Sequence, residues 1–280
     1  MSGKRTAKIQ VGNLCVAVDD VGSGPPVILL HGLACGRRMW FHQIRALRDR
    51  FRVIAYDLRG HGMTDAPAIA TEYSAVHLAR DLVGVLDALK IERAALVGFS
   101  LGGAPALALA ASKPERVSHL VLADVGAGAD EPVKIEWMTR RWLALIRQGD
   151  TDELVADMLR CEFYKIYARR SARCHAHMAG LIRATPIDGL RFTLSEILAK
   201  RKSLFRLETL LKSVKVPTLV LAGEHDYMCS KSTRFLAQAI PNARLKFIAN
   251  SGHMSPLEQP AAFSAALLEF LDKASYRPAA

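Results

Sequence analysis

No uninterrupted apolar stretch of about 18 residues or more occurs in the 280-residue chain, so no membrane span and no membrane partner are expected. The first ten residues carry Lys4, Arg5 and Lys8 with no apolar run behind them, and they do not read as a secretory signal. Cysteine is sparse: the five residues Cys15, Cys35, Cys161, Cys174 and Cys229 are scattered, odd in number and form no CxxC pair. That excludes a disulfide framework and fits a reducing, cytoplasmic setting, with each thiol read as a small buried hydrophobe. Neither GxxxxGK[ST] nor a GxGxxG at a strand end is present, so no nucleotide cofactor is expected. Internal repeats and low-complexity segments are missing too, and Pro278, Ala279 and Ala280 read as a frayed tail.

What remains is ordinary globular material. Hydrophobic residues make up 50% of the chain, charged residues 23%, and mean hydropathy is +0.12. Such a chain can build one large core, or one domain with a sizeable insertion. The formal charge of +11 could draw anions from a distance. Its basic residues are dispersed, however, with no basic run interleaved with aromatics. A solvated basic surface is the first reading and an anionic substrate the second, and no nucleic-acid partner is expected. The sequence sets no oligomeric state.

Periodicity divides the chain into three parts. Short apolar runs at Pro26–Leu30, Phe51–Tyr56, Ala94–Phe99 and Val117–Ala123 alternate with helical patterns at Met39–Arg50, Ser74–Leu89 and Leu101–Ala111. The second of these helices places Leu78, Leu82, Val85, Leu86 and Leu89 on one face. From Ala127 to Leu210 strand signals vanish and amphipathic helical patterns with interleaved arginines take over. Alternation then returns, with strands at Pro217–Ala222 and Leu245–Ile248 and helices at Lys231–Ala239 and Ala261–Leu271. Strands separated by helices predict an α/β fold with a mostly parallel, doubly wound sheet. The expected division is a core of residues 1–126 and 211–280, with a helical cap inserted over 127–210.

The strongest chemical signal is Gly98-Phe99-Ser100-Leu101-Gly102-Gly103, set between an apolar strand and an alanine-rich helix. A strand–turn–helix setting is what a GxSxG nucleophile elbow requires, because the tight turn needs glycines beside a strained, exposed serine. A serine hydroxyl needs a base. His253, in Asn250-Ser251-Gly252-His253-Met254, follows the last predicted strand and precedes the last helix. Asp226, in Gly223-Glu224-His225-Asp226, follows the penultimate strand and would orient the imidazole. Asp124, which also ends a strand, competes for that role, and Glu224 competes more weakly. The backbone N–H groups of Leu33, after His31-Gly32, and of Leu101 are the expected oxyanion donors. His31 reads as a structural hydrogen-bonder. Cys35 lies near that loop, and its reactivity is open. Phe99, Trp137, Trp142 and Met254 are candidate pocket residues, although the two tryptophans could equally pack the cap onto the core. Cys174-His175-Ala176-His177 suggests no metal, since histidines two apart on a helix face different ways.

These pieces, with Asp57-Leu58-Arg59-Gly60-His61-Gly62 and Pro256-Leu257-Glu258-Gln259-Pro260, resemble the α/β-hydrolase superfamily over nearly the whole chain. Within it the chain is similar to capped bacterial esterases, 3-oxoadipate enol-lactonases and cofactor-free haloperoxidase-like enzymes. The resemblance implies that Ser100, Asp226 and His253 hydrolyse a small-molecule ester or lactone without metal or cofactor, and that the Asp57–Gly62 segment is structural. Serine at position 100 argues against the dehalogenase and epoxide-hydrolase relatives, which use aspartate there. C–C hydrolases of this superfamily usually carry tryptophan just after the histidine, where this chain has Met254. A C–C hydrolase, lyase, acyltransferase or perhydrolase on the same triad is the alternative, with a slow-turnover ligand receptor behind it.

Overall fold

In the computed structural model, which describes residues 5–272, the apolar runs assemble into a single eight-stranded sheet. The tail at Pro278–Ala280 and the residue Lys4 lie outside the described residues. The strands are β1 (Arg5–Val11), β2 (Leu14–Val21), β3 (Pro26–Leu30), β4 (Arg52–Tyr56), β5 (Ala94–Phe99), β6 (Val117–Ala123), β7 (Thr218–Gly223) and β8 (Ala243–Ile248). Their order is β1-β2-β4-β3-β5-β6-β7-β8. β1, β2 and β4 pair antiparallel, and all remaining pairs are parallel.

The predicted strands recur within a residue or two, and β3 and β5 match at both ends. Every residue of β5 and β7 is buried, as expected of central parallel strands covered on both sides. The β1–β2 hairpin was not anticipated. β1 is an edge strand that is largely exposed, so it carries little apolar alternation. Its one local signal is Gly12-Asn13, the two-residue turn that sets Val11 opposite Leu14.

Around the sheet lie α1 (Phe41–Leu47), α2 (Ala75–Ala88) and α3 (Gly103–Ser112). Between β6 and β7 come α4 (Ala127–Asp130), α5 (Pro132–Gln148), α6 (Thr151–Arg160), α7 (Lys165–Ala168), α8 (Ala172–Arg183) and α9 (Ile187–Phe192). A π-helical stretch, Thr193–Leu198, extends α9, and α10 (Glu208–Ser213) leads into β7. α11 (Ser230–Ala239), α12 (Ser255–Glu258) and α13 (Pro260–Asp272) complete the set. No strand forms between β6 and β7 among the described residues.

Strand alternation sorts the core into two halves. Val27, Leu29, Val53, Ala55, Val97 and Phe99 face the side covered by Ile44 and Leu47 of α1 and by Phe263 and Leu267 of α13. Ile28, Leu30, Ile54, Leu96, Leu120 and Leu122 face Leu78, Leu82 and Val85 of α2, Leu107 of α3 and Leu236 of α11. Burying a leucine such as Leu82 contributes about 1.5–3 kcal/mol. α2 starts where the Ser74 hydroxyl accepts the N–H of His77 at 3.2 Å, an N-cap that contributes about 1 kcal/mol. The two layers hold the carboxyl ends of β3, β5, β6, β7 and β8 along one edge of the sheet, where the loops carrying the candidate residues emerge.

Candidate active site

β5 ends at Phe99, and Ser100 takes a left-handed φ of +49°. A non-glycine residue there stores strain, which persists only when the surroundings impose it. The imposition comes from close packing on either side. A Cβ on Gly98 would lie 2.6 Å from the Gly102 carbonyl oxygen, and one on Gly102 would lie 2.5 Å from that of Leu30. The chain can therefore reverse from β5 into the turn Ser100–Gly102 and α3 only with glycine at both places. Its result is a serine hydroxyl lifted above the sheet edge.

His253 reaches it from the loop after β8. With the proton on Nδ1, the imidazole donates to Asp226 Oδ2 at 2.8 Å, and Nε2 accepts the Ser100 hydroxyl at 3.1 Å. Asp226 and His253 are 4% and 3% exposed, so the pair is shielded from competing water. The two loops are tied together by His225 N–H donating to the Ser251 carbonyl at 2.7 Å. Glu258 brackets the histidine, accepting the N–H of Gly252 at 2.7 Å and of Met254 at 3.1 Å. Nothing in the Pro256–Pro260 pattern marks this role, which depends on contacts with the loop before it. Phe163, from the turn between α6 and α7, packs on the imidazole with ring centroids 4.7 Å apart.

Of the two competing acids, neither touches His253. Glu224 accepts the Asn250 N–H at 3.2 Å. Asp124, with φ of +52°, accepts the Gly223 N–H at 2.8 Å and the Ser255 hydroxyl. It thus fastens the end of β6 to both loops. Burial, and then the neighbouring Asp226 charge, push the Asp124 carboxyl well above the usual carboxylate range.

Among the described residues the N–H of Leu33 has no acceptor, and that of Leu101 lies in a first helical turn, where intrahelical acceptors are lacking. Both residues line the cavity beside Ser100. The Leu33 carbonyl is held by the Tyr164 hydroxyl at 2.7 Å, which fixes the loop from the helical side. Below it, Asp57 accepts the N–H groups of Arg37 and Met63 and pairs with the Arg37 guanidinium. The Asp57–Gly62 segment is accordingly a structural hub.

The cavity encloses about 730 Å³, a size suited to a small molecule. Among the four candidate pocket residues, only Phe99 lines it. The other three placements are corrected by packing. Trp137 points outward, 61% exposed. Trp142 is buried within the helical insertion, where its indole N–H donates to Asp157 at 2.9 Å. Met254 is fully buried in the core. The walls come instead from Tyr73, Val125, Phe163, Tyr164, Ile197, Arg201 and Leu204, residues that no motif marks.

Asp226, Cys229 and His253 lie close enough to suggest a metal set. Both imidazole nitrogens are already engaged, Nδ1 with Asp226 and Nε2 with Ser100, so the histidine is held in a relay. Cys35, near the Leu33 loop, is pushed up to about 12 by burial and is an inert thiol. His177, from the Cys174–His177 segment, lies 2.8 Å from the Tyr167 hydroxyl.

His31 and His61 form a buried structural pair with ring centroids 5.0 Å apart. His31 Nε2 accepts the Leu58 N–H at 2.9 Å, and His61 Nε2 accepts that of Ala34 at 3.3 Å. Burial lowers His31 from 6.5 to about 4 and His61 to about 3. As pH falls below 6.5 the unfolded chain takes up these protons while the folded protein does not, so stability falls with pH. Each group then costs about 1.4 kcal/mol per pH unit. We expect urea titrations between pH 6 and 4.5 to show a steep acid slope in wild type and a shallower one in His61→Gln. Equal slopes would contradict a neutral, buried His61.

The profile of the alpha/beta hydrolase fold family matches residues 25–260. A Caulobacter sp. (strain K31) protein, provisionally named carbamate hydrolase RutD, is 31% identical over 94% of this chain and 98% of its own. The 2-hydroxy-6-oxononadienedioate/2-hydroxy-6-oxononatrienedioate hydrolase of Paraburkholderia phymatum is 31% identical over 92% of this chain and 91% of its own. Among solved structures, the enol-lactonase from Burkholderia xenovorans LB400 superposes with a TM-score of 0.83 at 28% identity, covering 95% of this chain and 100% of that one.

Proposed function

The chain belongs to the α/β-hydrolase fold family, and from that membership we propose that it is a serine hydrolase acting on small-molecule carboxylic esters or lactones through an acyl-enzyme on Ser100. The observation that carries this reading is the relay Ser100 Oγ, His253 Nε2 and Nδ1, Asp226 Oδ2, with contacts of 3.1 and 2.8 Å, opening on an apolar cavity.

The steps follow from the geometry. Ser100 Oγ attacks the substrate carbonyl carbon while its proton passes to His253 Nε2. Asp226 stabilises the imidazolium and keeps the Nδ1 proton in place. The carbonyl oxygen becomes an oxyanion facing the Leu33 and Leu101 N–H groups. Collapse breaks the C–O bond, and the leaving alkoxide takes the proton from His253. Water, deprotonated by the same nitrogen, attacks the acyl-enzyme and releases the acid. The elements between β6 and β7 act as a cap, residues 127–210 over a core of 1–126 and 211–280, with Phe163 and Tyr164 closing the cavity over His253. No step needs a metal or cofactor. The substrate is a small molecule, with no nucleic acid or membrane involved, and the five free thiols suit the cytoplasm. Among the described residues no helix is long and apolar enough to cross a membrane.

C–C bond hydrolysis on the same relay is the second reading, favoured by the Paraburkholderia relative and opposed by Met254 after His253. A panel of p-nitrophenyl esters of rising acyl length, simple lactones, aryl carbamates and dienone C–C substrates separates the two. The expected outcome is ester or lactone turnover exceeding the other classes in kcat/KM. Turnover confined to the dienones would replace the ester reading with the C–C one.

A further inference from the structure

Arg201 lines the same cavity as Ser100 and His253, and among the described residues its guanidinium has no hydrogen-bond or ion-pair partner. Three less exposed arginines are engaged. Arg37 pairs with Asp19 and Asp57, Arg59 with Asp81 and Glu72, and Arg52 with Asp20. The Arg201 side chain remains exposed to water while it lines the cavity.

Its surroundings hold no counter-charge. The one carboxylate on this wall, Glu196, is taken by Lys200 and the Ser195 hydroxyl. Lys202 adds a further cation to the lining. Three cations and one spoken-for carboxylate therefore border a cavity otherwise walled by Leu33, Phe99, Val125, Ile197 and Leu204. An unpaired guanidinium bordering an otherwise apolar cavity is a ready partner for an anionic ligand.

We propose that Arg201 forms an anion subsite, and that the substrate of the Ser100 reaction carries a free carboxylate joined to the scissile acyl group through an apolar body. This inference rests on the acyl-transfer reading above. A guanidinium presents two parallel N–H groups that match a carboxylate, whereas the flanking lysines supply only field. Hydrolysis of such an ester releases a dicarboxylate and an alcohol.

The test compares kcat/KM for mono-p-nitrophenyl esters of glutaric, adipic and pimelic acids with their methyl-capped diester analogues. In wild type the free acid should be favoured about ten- to a hundredfold at its best chain length, the scale of a charged hydrogen bond. The preference should collapse in Arg201→Gln, survive in part in Arg201→Lys, and weaken as salt rises. A wild-type ratio at or below one overturns the subsite whether or not the variants fold, and so does a ratio that Arg201→Gln leaves unchanged. Failure of the acyl-transfer reading looks different: Ser100→Ala would then hydrolyse both esters of each pair as fast as wild type.

Discussion

Ser100→Ala should lower kcat/KM for a simple p-nitrophenyl ester by about 10⁴- to 10⁶-fold, the loss seen when a nucleophile that works as one unit with its base is removed. The alanine keeps Cβ, so the +49° φ is tolerated as it is for serine, and only the hydroxyl on His253 is lost. Stability should move by no more than about 1 kcal/mol, the worth of one hydrogen bond. A loss of activity without a fall in thermal midpoint therefore isolates chemistry from folding. Labelling by a fluorophosphonate should vanish in parallel. Turnover within tenfold of wild type would mean that the relay at the sheet edge is not the reactive centre.

The second large effect separates two buried carboxyls. Asp226→Asn should reduce kcat by about 10⁴-fold, because an amide favours the wrong imidazole tautomer and leaves the imidazolium without its counter-charge. Asp124→Asn should be far milder. Its side-chain oxygen can still accept the Gly223 N–H, and it makes no contact with His253. Ser255 loses a carboxyl partner, so thermal stability rather than turnover should register that change. Measuring kcat and thermal midpoint for both variants decides the assignment. The reverse pattern, with Asp226→Asn active and Asp124→Asn dead, would hand the acid role to Asp124.

That contrast is not written in the sequence. Asp124 and Asp226 each close a buried strand, and local pattern does not say which one a histidine on a third loop will meet. The difference is a contact across 27 residues of chain, 2.8 Å from Asp226 Oδ2 to His253 Nδ1, set by how β6, β7 and β8 align in the sheet. The same holds for the cavity. Helical periodicity identified Trp137 and Trp142 as prominent apolar residues between β6 and β7, but not the neighbours they would meet. One faces solvent and the other packs inside the insertion. Phe163, Tyr164 and Arg201, which do reach the cavity, carry no spacing that distinguishes them from any other helical or loop residue.

What the sequence by itself determined is what short-range sterics and periodicity decide. Buried strands announce themselves through runs of apolar residues. The tight turn at Ser100 is written in Gly98 and Gly102, because only a missing Cβ allows backbone atoms to approach within 2.6 Å of those positions. The order serine, acid, histidine after β5, β7 and β8 then follows from a sheet whose parallel strands all deliver their loops to one edge. Tertiary structure alone decided the partner of the histidine, the exposed β1–β2 hairpin, the clamp formed by Glu258 and the walls of the cavity. Each depends on contacts between segments distant in the chain, whose free energy resides in packing and hydrogen bonding that no single segment contains.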